Sequence, residues 1–237
     1  MKIFDLKIFK ISGLQHTPFM PVRSVFHKDS HQLGRSMIEM LSVLGIIGVL
    51  SVAGIAGYTQ AMHQWRLNKQ ADQFFQILSG AWQYMYQIYP TTNGHTKVTK
   101  LFYAAGVIPR DMKKTNNEDY FYDAFNNQSY IYCQIDGGNF CGMPISIKNA
   151  AASQCRNILN MAKGFHPFLW LIEVNDTSGG GSYSGHTYGD GWCTAARRQA
   201  GTCLENLSIS RMNSICRTCD RNPGKTCNVY ILWKKTK

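Results

Sequence analysis

The hydrophobic pattern divides the chain into three stretches. Residues 1–34 are mixed and basic, carrying Lys2, Lys7, Lys10, Arg23 and Lys28 against Asp5 and Asp29. Residues Met37 to Met62 read MIEMLSVLGIIGVLSVAGIAGYTQAM, and no charged side chain occurs between Glu39 and His63. About 20 apolar residues in a helix span the hydrocarbon core of a bilayer, so this run is long enough to cross one. It exceeds the ~7–15 apolar residues of a secretory signal peptide. It also continues without a break into a helical pattern of Trp65, Leu67, Phe74, Phe75, Ile77, Leu78, Trp82, Tyr84 and Met85.

No proline lies between Pro21 and Pro90. The pattern predicts one helix from Ser36, its cap, to Tyr89, about 80 Å long at 1.5 Å per residue. Pro90 and the turn residues Thr91-Thr92-Asn93-Gly94 end it. A single small domain cannot pack such a helix along its whole course. The first half therefore needs lipid or other copies of itself.

Beyond Pro90 the periodicity is mixed. Val98–Ala105 predicts a short helix and Lys148–Met161 another. Alternation predicts a strand at 130–135, a turn at Asp136-Gly137-Gly138-Asn139 and a return strand at Cys141–Ile147. Phe168–Val174 is a further strand, and the Gly/Ser-rich Thr177–Gly191 reads as an exposed loop. The fold class is α+β: a long N-terminal helix, its first half transmembrane, packed on a small antiparallel sheet with a disulfide-stapled C-terminal region.

Charge changes this picture little. The 25 Lys+Arg against 14 Asp+Glu give a formal charge of +11, which permits attraction to anionic polymers or lipid without defining a fold. The basic patches Lys113–Lys114, Arg197–Arg198 and Lys234–Lys235 are short, and a solvated surface explains them.

Glu39 is the anomaly. An ionised carboxylate inside a membrane costs ~2.5–3.5 kcal/mol at the bilayer centre and less near the interface. Glu39 either lies at the headgroup level or awaits a positive partner from another chain. A free α-amino group, cationic at neutral pH, is such a partner, and cleavage a few residues upstream would create one.

Gly34-Arg35-Ser36-Met37-Ile38-Glu39 and the apolar run after it resemble the class III signal of type IV pilins and type II secretion pseudopilins. The resemblance implies cleavage by a prepilin peptidase after Gly34 and N-methylation of Arg35, the new first residue. It implies that Glu39, fifth after the cut, neutralises the terminal amine of a neighbouring subunit. Arg35 departs from the family's usual apolar residue, and Ala56 stands where a proline is frequent. The long leader resembles the type IVb branch, as do Leu101…Met112, Asp123–Asn127, Cys155 in its helical stretch and the Cys227–Trp233 strand. The implied domains are a leader (1–34), a transmembrane and assembly half-helix (35–61) and an exported pilin-like domain (62–237). Gly45, Gly48, Gly54 and Gly57, with Ser51, place small residues every third position, a spiral suited to several close neighbours.

All eight cysteines, Cys133, Cys141, Cys155, Cys193, Cys203, Cys216, Cys219 and Cys227, follow the apolar run. The basic leader is expected on the cytoplasmic side, which places them in an oxidising compartment that favours disulfides. Eight cysteines allow 105 pairings. Cys155 is expected to join Cys216, Cys219 or Cys227, stapling a loop-rich region at 176–227 that has few large apolar residues. Cys216-Arg217-Thr218-Cys219 also permits a zinc or redox reading, but a lone CxxC is a weak signal.

No phosphate loop, GxSxG or HExxH occurs, so no enzyme and no cofactor are expected. His63, His95, His166 and His186 are scattered, Asp190 lacks the oxygen ligands of a calcium loop, and Asp119, Asp123 and Asp136 are not spaced as a catalytic pair. The expected function is a filament subunit: a single-pass inner-membrane protein later drawn into a pilus or pseudopilus. Its expected partners are the prepilin peptidase, other pilins, the inner-membrane assembly machinery and the bilayer. The alternatives are a minor tip or DNA-uptake component, with DNA or a surface as ligand, and a membrane-anchored exported protein that forms no filament.

Overall fold

The structure is a computed structural model that describes residues 37–88, 94–134, 140–148, 152–176, 183–220 and 226–234. The leader, Gly34, Arg35, the cap Ser36 and the turn at 136–139 lie outside these. The chain forms two units, Met1–Ser51 and Val52–Lys237.

The described part of the first unit is helical. Helix α1 runs from Met37 to Ile88, and every residue from 37 to 61 is exposed. Its hydroxyls are satisfied within the helix: Ser42 Oγ donates to the Glu39 carbonyl at 2.8 Å and Ser51 Oγ to Ile47 at 2.7 Å. Such back-bonding removes the desolvation cost that a free hydroxyl would carry in an apolar surrounding.

In the second unit α1 changes character. Gln70, Gln73, Phe74, Ile77, Leu78 and Ala81 are buried, which is the spacing of one helix face turned to a core. That core includes Met143, Ile145, Ile172, Val174, Val229, Ile231 and Trp233 of a sheet.

The sheet has nine strands: β1 (His95–Lys97), β2 (Lys113–Lys114), β3 (Phe121–Tyr122), β4 (Gln128–Ser129), β5 (Tyr132–Gln134), β6 (Phe140–Ile147), β7 (Leu169–Asp176), β8 (Tyr183–Tyr188) and β9 (Cys227–Lys234). The order β2-β3-β4-β6-β9-β7-β8 is antiparallel, and β5 joins β1 to the other end of the β4 edge of β6. Helices α2 (Thr99–Ala104), α3 (Ala152–Ala162), α4 (Ala195–Gln199) and α5 (Ile209–Asp220) complete it.

Several expectations need correction. The sheet is not small, because residues 113–129 add three two-residue strands that are too short to leave an alternation. The predicted helix at 148–161 starts at Ala152, and Lys148 lies outside it. Thr177–Gly191 is not a loop throughout, since β8 pairs with β7 from Leu171↔Tyr188 to Asn175↔Tyr183. Its glycine hid it: a Cβ on Gly185 would sit 2.9 Å from Ile215 of α5, so the missing side chain is what lets α5 lie on this strand. Gly189 is under a harder constraint, as a Cβ there would be 1.7 Å from the Leu169 carbonyl oxygen. Nor is 176–227 poor in core: Leu204, Leu207, Met212 and Ile215 are buried.

Four disulfides close the domain. Cys133–Cys141 crosses β5 and β6, Cys155–Cys216 ties α3 to α5, Cys193–Cys203 brackets α4, and Cys219–Cys227 joins α5 to β9. Cys155 thus takes one of its three expected partners. Loop-closure entropy ranks them: about 4 kcal/mol for the 61-residue separation of Cys155–Cys216 against about 2.5 for the 8-residue separations of Cys133–Cys141 and Cys219–Cys227. The double variant Cys155→Ser/Cys216→Ser is therefore expected to lower Tm more than Cys133→Ser/Cys141→Ser, as read by thermal denaturation of each under non-reducing conditions.

Candidate functional site

Three classes of residue were predicted to matter: the cleavage pair, the lone carboxylate and the cysteines. Gly34 and Arg35 lie outside the described residues. Glu39 sits in the first turn of α1, among exposed Met37, Ile38, Met40, Leu41 and Val43. Helical spacing puts Ser42, Val43, Ile46 and Leu50 on its side. No described residue forms an ion pair with it. The positive end of the helix dipole favours a first-turn carboxylate by about 0.3–1 kcal/mol. That is smaller than the ~2.5–3.5 kcal/mol a carboxylate costs deep in a bilayer, so the helix alone does not compensate Glu39.

The apolar side chains from Met37 to Tyr58 are 53–84% exposed. The glycines differ in the same way. An added Cβ at Gly45, Gly48, Gly54 or Gly57 meets nothing within 4 Å, whereas at Gly80 it would strike Val107 at 2.3 Å. Glycine costs up to about 1 kcal/mol in a helix interior. At Gly80 the cost is offset by packing inside the chain, and at the other four positions no described residue supplies such packing. By length and composition α1 can cross a membrane.

The CxxC readings do not hold, because Cys216 and Cys219 belong to different disulfides. Asp190 lies 2.7 Å from His166 Nδ1, so its carboxylate has a protein partner. His63 faces Ser153 at 3.4 Å and the Phe125 ring, and His186 lies 3.9 Å from Glu173. Among the described residues no three metal-ligating side chains cluster.

One polar centre escaped the sequence reading. Asp123, which the sequence offers as part of the 123–127 motif and not as a catalytic acid, is buried and accepts four hydrogen bonds. Oδ1 takes the backbone N–H of Phe125 (2.9 Å) and Asn127 (2.8 Å), and Oδ2 takes Gln70 Nε2 (2.6 Å) and Asn127 Nδ2 (2.9 Å). Asn157 Nδ2 donates to the Leu67 carbonyl at 2.7 Å, and the Ala124 N–H donates to Gln73 Oε1 at 3.0 Å. These bonds fasten α1 to α3 and to the 123–127 turn. The buried glutamines on the helix face were the available signal, since a buried amide requires partners.

No protein-family model matches the chain, and no curated protein matches it.

Burial pushes the Asp123 carboxyl above its ordinary value, with Gln70 the strongest opposing donor. A raised folded value favours folding below the unfolded value of 3.8 and loses that contribution as pH rises through the folded value. Asp123→Asn is expected to abolish this slope. It should also cost about 1–3 kcal/mol, because an amide NH2 would face the donors Gln70 and Asn127. Tm measured against pH for both proteins checks the two effects.

Proposed function

We propose that the protein is a structural subunit of a type IV pilus or type II secretion pseudopilus, cleaved after Gly34 and assembled through α1. One observation carries this reading: an exposed apolar half-helix that contains a single carboxylate and four glycines with no packing partner among the described residues. Exposed apolar surface of this extent requires a lipid or protein neighbour. Before assembly the bilayer fills that need. In the filament the same surface packs against other subunits, and the glycines allow close approach. Glu39 then meets the amine of Arg35 on an adjacent copy, a charge-assisted contact. The described domain from Met62 onward, oxidised at four pairs of cysteines, suits the exported side.

Glu39→Val is expected to insert into membranes as wild type does and to reduce assembled filament about tenfold or more. A lost charged hydrogen bond of ~1.5–3 kcal/mol sets that scale. Membrane fractionation together with the yield of sheared filaments measures both, and normal filament yield would remove the role given to Glu39. Intact-mass analysis of the membrane-extracted protein is expected to give a chain beginning at Arg35. A chain beginning at Met1 would overturn the assignment.

A further inference from the structure

The second half of α1 leaves two unlike patches open, both in the unit that begins at Val52. The first is a knob. Trp65 is 56% exposed. The exposed rings of Phe75 and Trp82 lean on Phe165 and Phe168, at 5.1 and 5.3 Å between centroids, whereas no ring stands beside Trp65 among the described residues. Asp72, also exposed, follows Trp65 by about two helical turns, so it lies on the same stripe about 10.5 Å further along. No described cation pairs with it.

The second patch is a groove between α1, α3 and α5, with Leu67, Arg156, Ile209 and Met212 in its lining. Ile209 is 73% exposed. Leu67 is turned about 200° from Trp65 around the helix, so groove and knob face different ways. Three contacts set the level of α3 against α1. Ser153 Oγ lies 3.4 Å from His63 Nε2, Asn157 Nδ2 donates to the Leu67 carbonyl at 2.7 Å, and the Phe165 and Phe75 rings meet at 5.1 Å. Each joins residues 90 apart, so α3 keeps step with α1. Lys163, which follows α3, therefore stands level with Gln73, about 9 Å beyond Leu67. Lys163 Nζ donates to the Leu207 carbonyl at 3.0 Å. An ammonium has three donors, and no described carboxylate pairs with Lys163 or with Arg156.

We propose that the groove receives Trp65 of a second copy of this chain, with that copy's Asp72 on Lys163. The patches match in chemistry. The indole covers the apolar floor of Leu67, Ile209 and Met212, and Arg156 beside it offers a cation to the ring face. They also match in spacing: carboxylate follows indole by about 10.5 Å on the knob, and ammonium follows Leu67 by about 9 Å along the groove. The ion pair is exposed and adds little affinity; it fixes register and partner. The match holds for copies that stand parallel and level, and for that arrangement the inference rests on the assembly reading above. Knob and groove are different patches, so the contact is heterologous. Such contacts close into a ring or continue as a helical filament. A short apolar peptide would fill the groove but leaves the position of Lys163 unexplained.

The test is photo-crosslinking of the full chain with a benzophenone-bearing residue in place of Trp65, in membranes and in sheared filaments, the joined peptides being identified by mass spectrometry. A dimer linked to the α5 peptide that carries Ile209 and Met212 is expected in both. Asp72→Lys is expected to reduce that dimer about fivefold, and Asp72→Lys/Lys163→Glu to restore it. Asp72 is exposed, so its variant keeps the wild-type Tm. Should Lys163→Glu lower Tm on losing its bond to Leu207, the site of the crosslink decides alone. Filaments that give no crosslink from position 65, or a crosslink to another surface or another protein, would overturn the inference while the assembly reading stands. So would a double variant that folds normally without restoring the dimer. The expected dimer in membranes of cells that yield no filaments would support the inference and sink the assembly reading instead.

Discussion

An apolar helical surface without a partner among the described residues is the constraint from which the other features follow. Residues 37–61 of α1 are exposed, and water is a poor surrounding for Ile46, Ile47, Leu50 and Ile55. The apolar surface is non-directional in its demand: either a bilayer or a bundle of like helices satisfies it. Glu39 is directional, because a carboxylate in that setting is relieved by a cation at a definite place.

The second half of α1 is held to its own domain by two physically different means. Phe74, Ile77, Leu78 and Ala81 join the apolar core, which resists separation but tolerates sliding. The Gln70–Asp123–Asn127 bonds and the Asn157 contact with Leu67 resist sliding, since each would leave a buried polar atom unsatisfied if the helix shifted by a turn. The disulfide between α3 and α5 secures the layer on which these bonds rest.

The parts of the fold legible in the sequence are those set by long periodic patterns. Helix α1 was readable because apolar positions persist from Met37 to Met85 without a proline, and β6 and β7 because their alternation or apolar runs are strong, while β9 was expected only from the resemblance. Strand β8 was not, because its sequence Tyr183-Ser184-Gly185-His186-Thr187-Tyr188 is shaped by what packs on it rather than by burial of large side chains. Disulfide connectivity was closed to sequence, since pairing depends on which helices lie together. The exceptional character of Glu39 stood out because one charge in an apolar run is visible without coordinates. Asp123 did not, as its partners lie 53 and 4 residues away and only folding assembles them.

The position of β9 has a consequence for biogenesis. It lies between β6 and β7, pairing with both along its length. Until residues 227–234 have left the ribosome, those two neighbours present open hydrogen-bonding edges of the kind that recruit stray strands. Closure of the sheet is therefore a late event, since it waits on the last of the described strands.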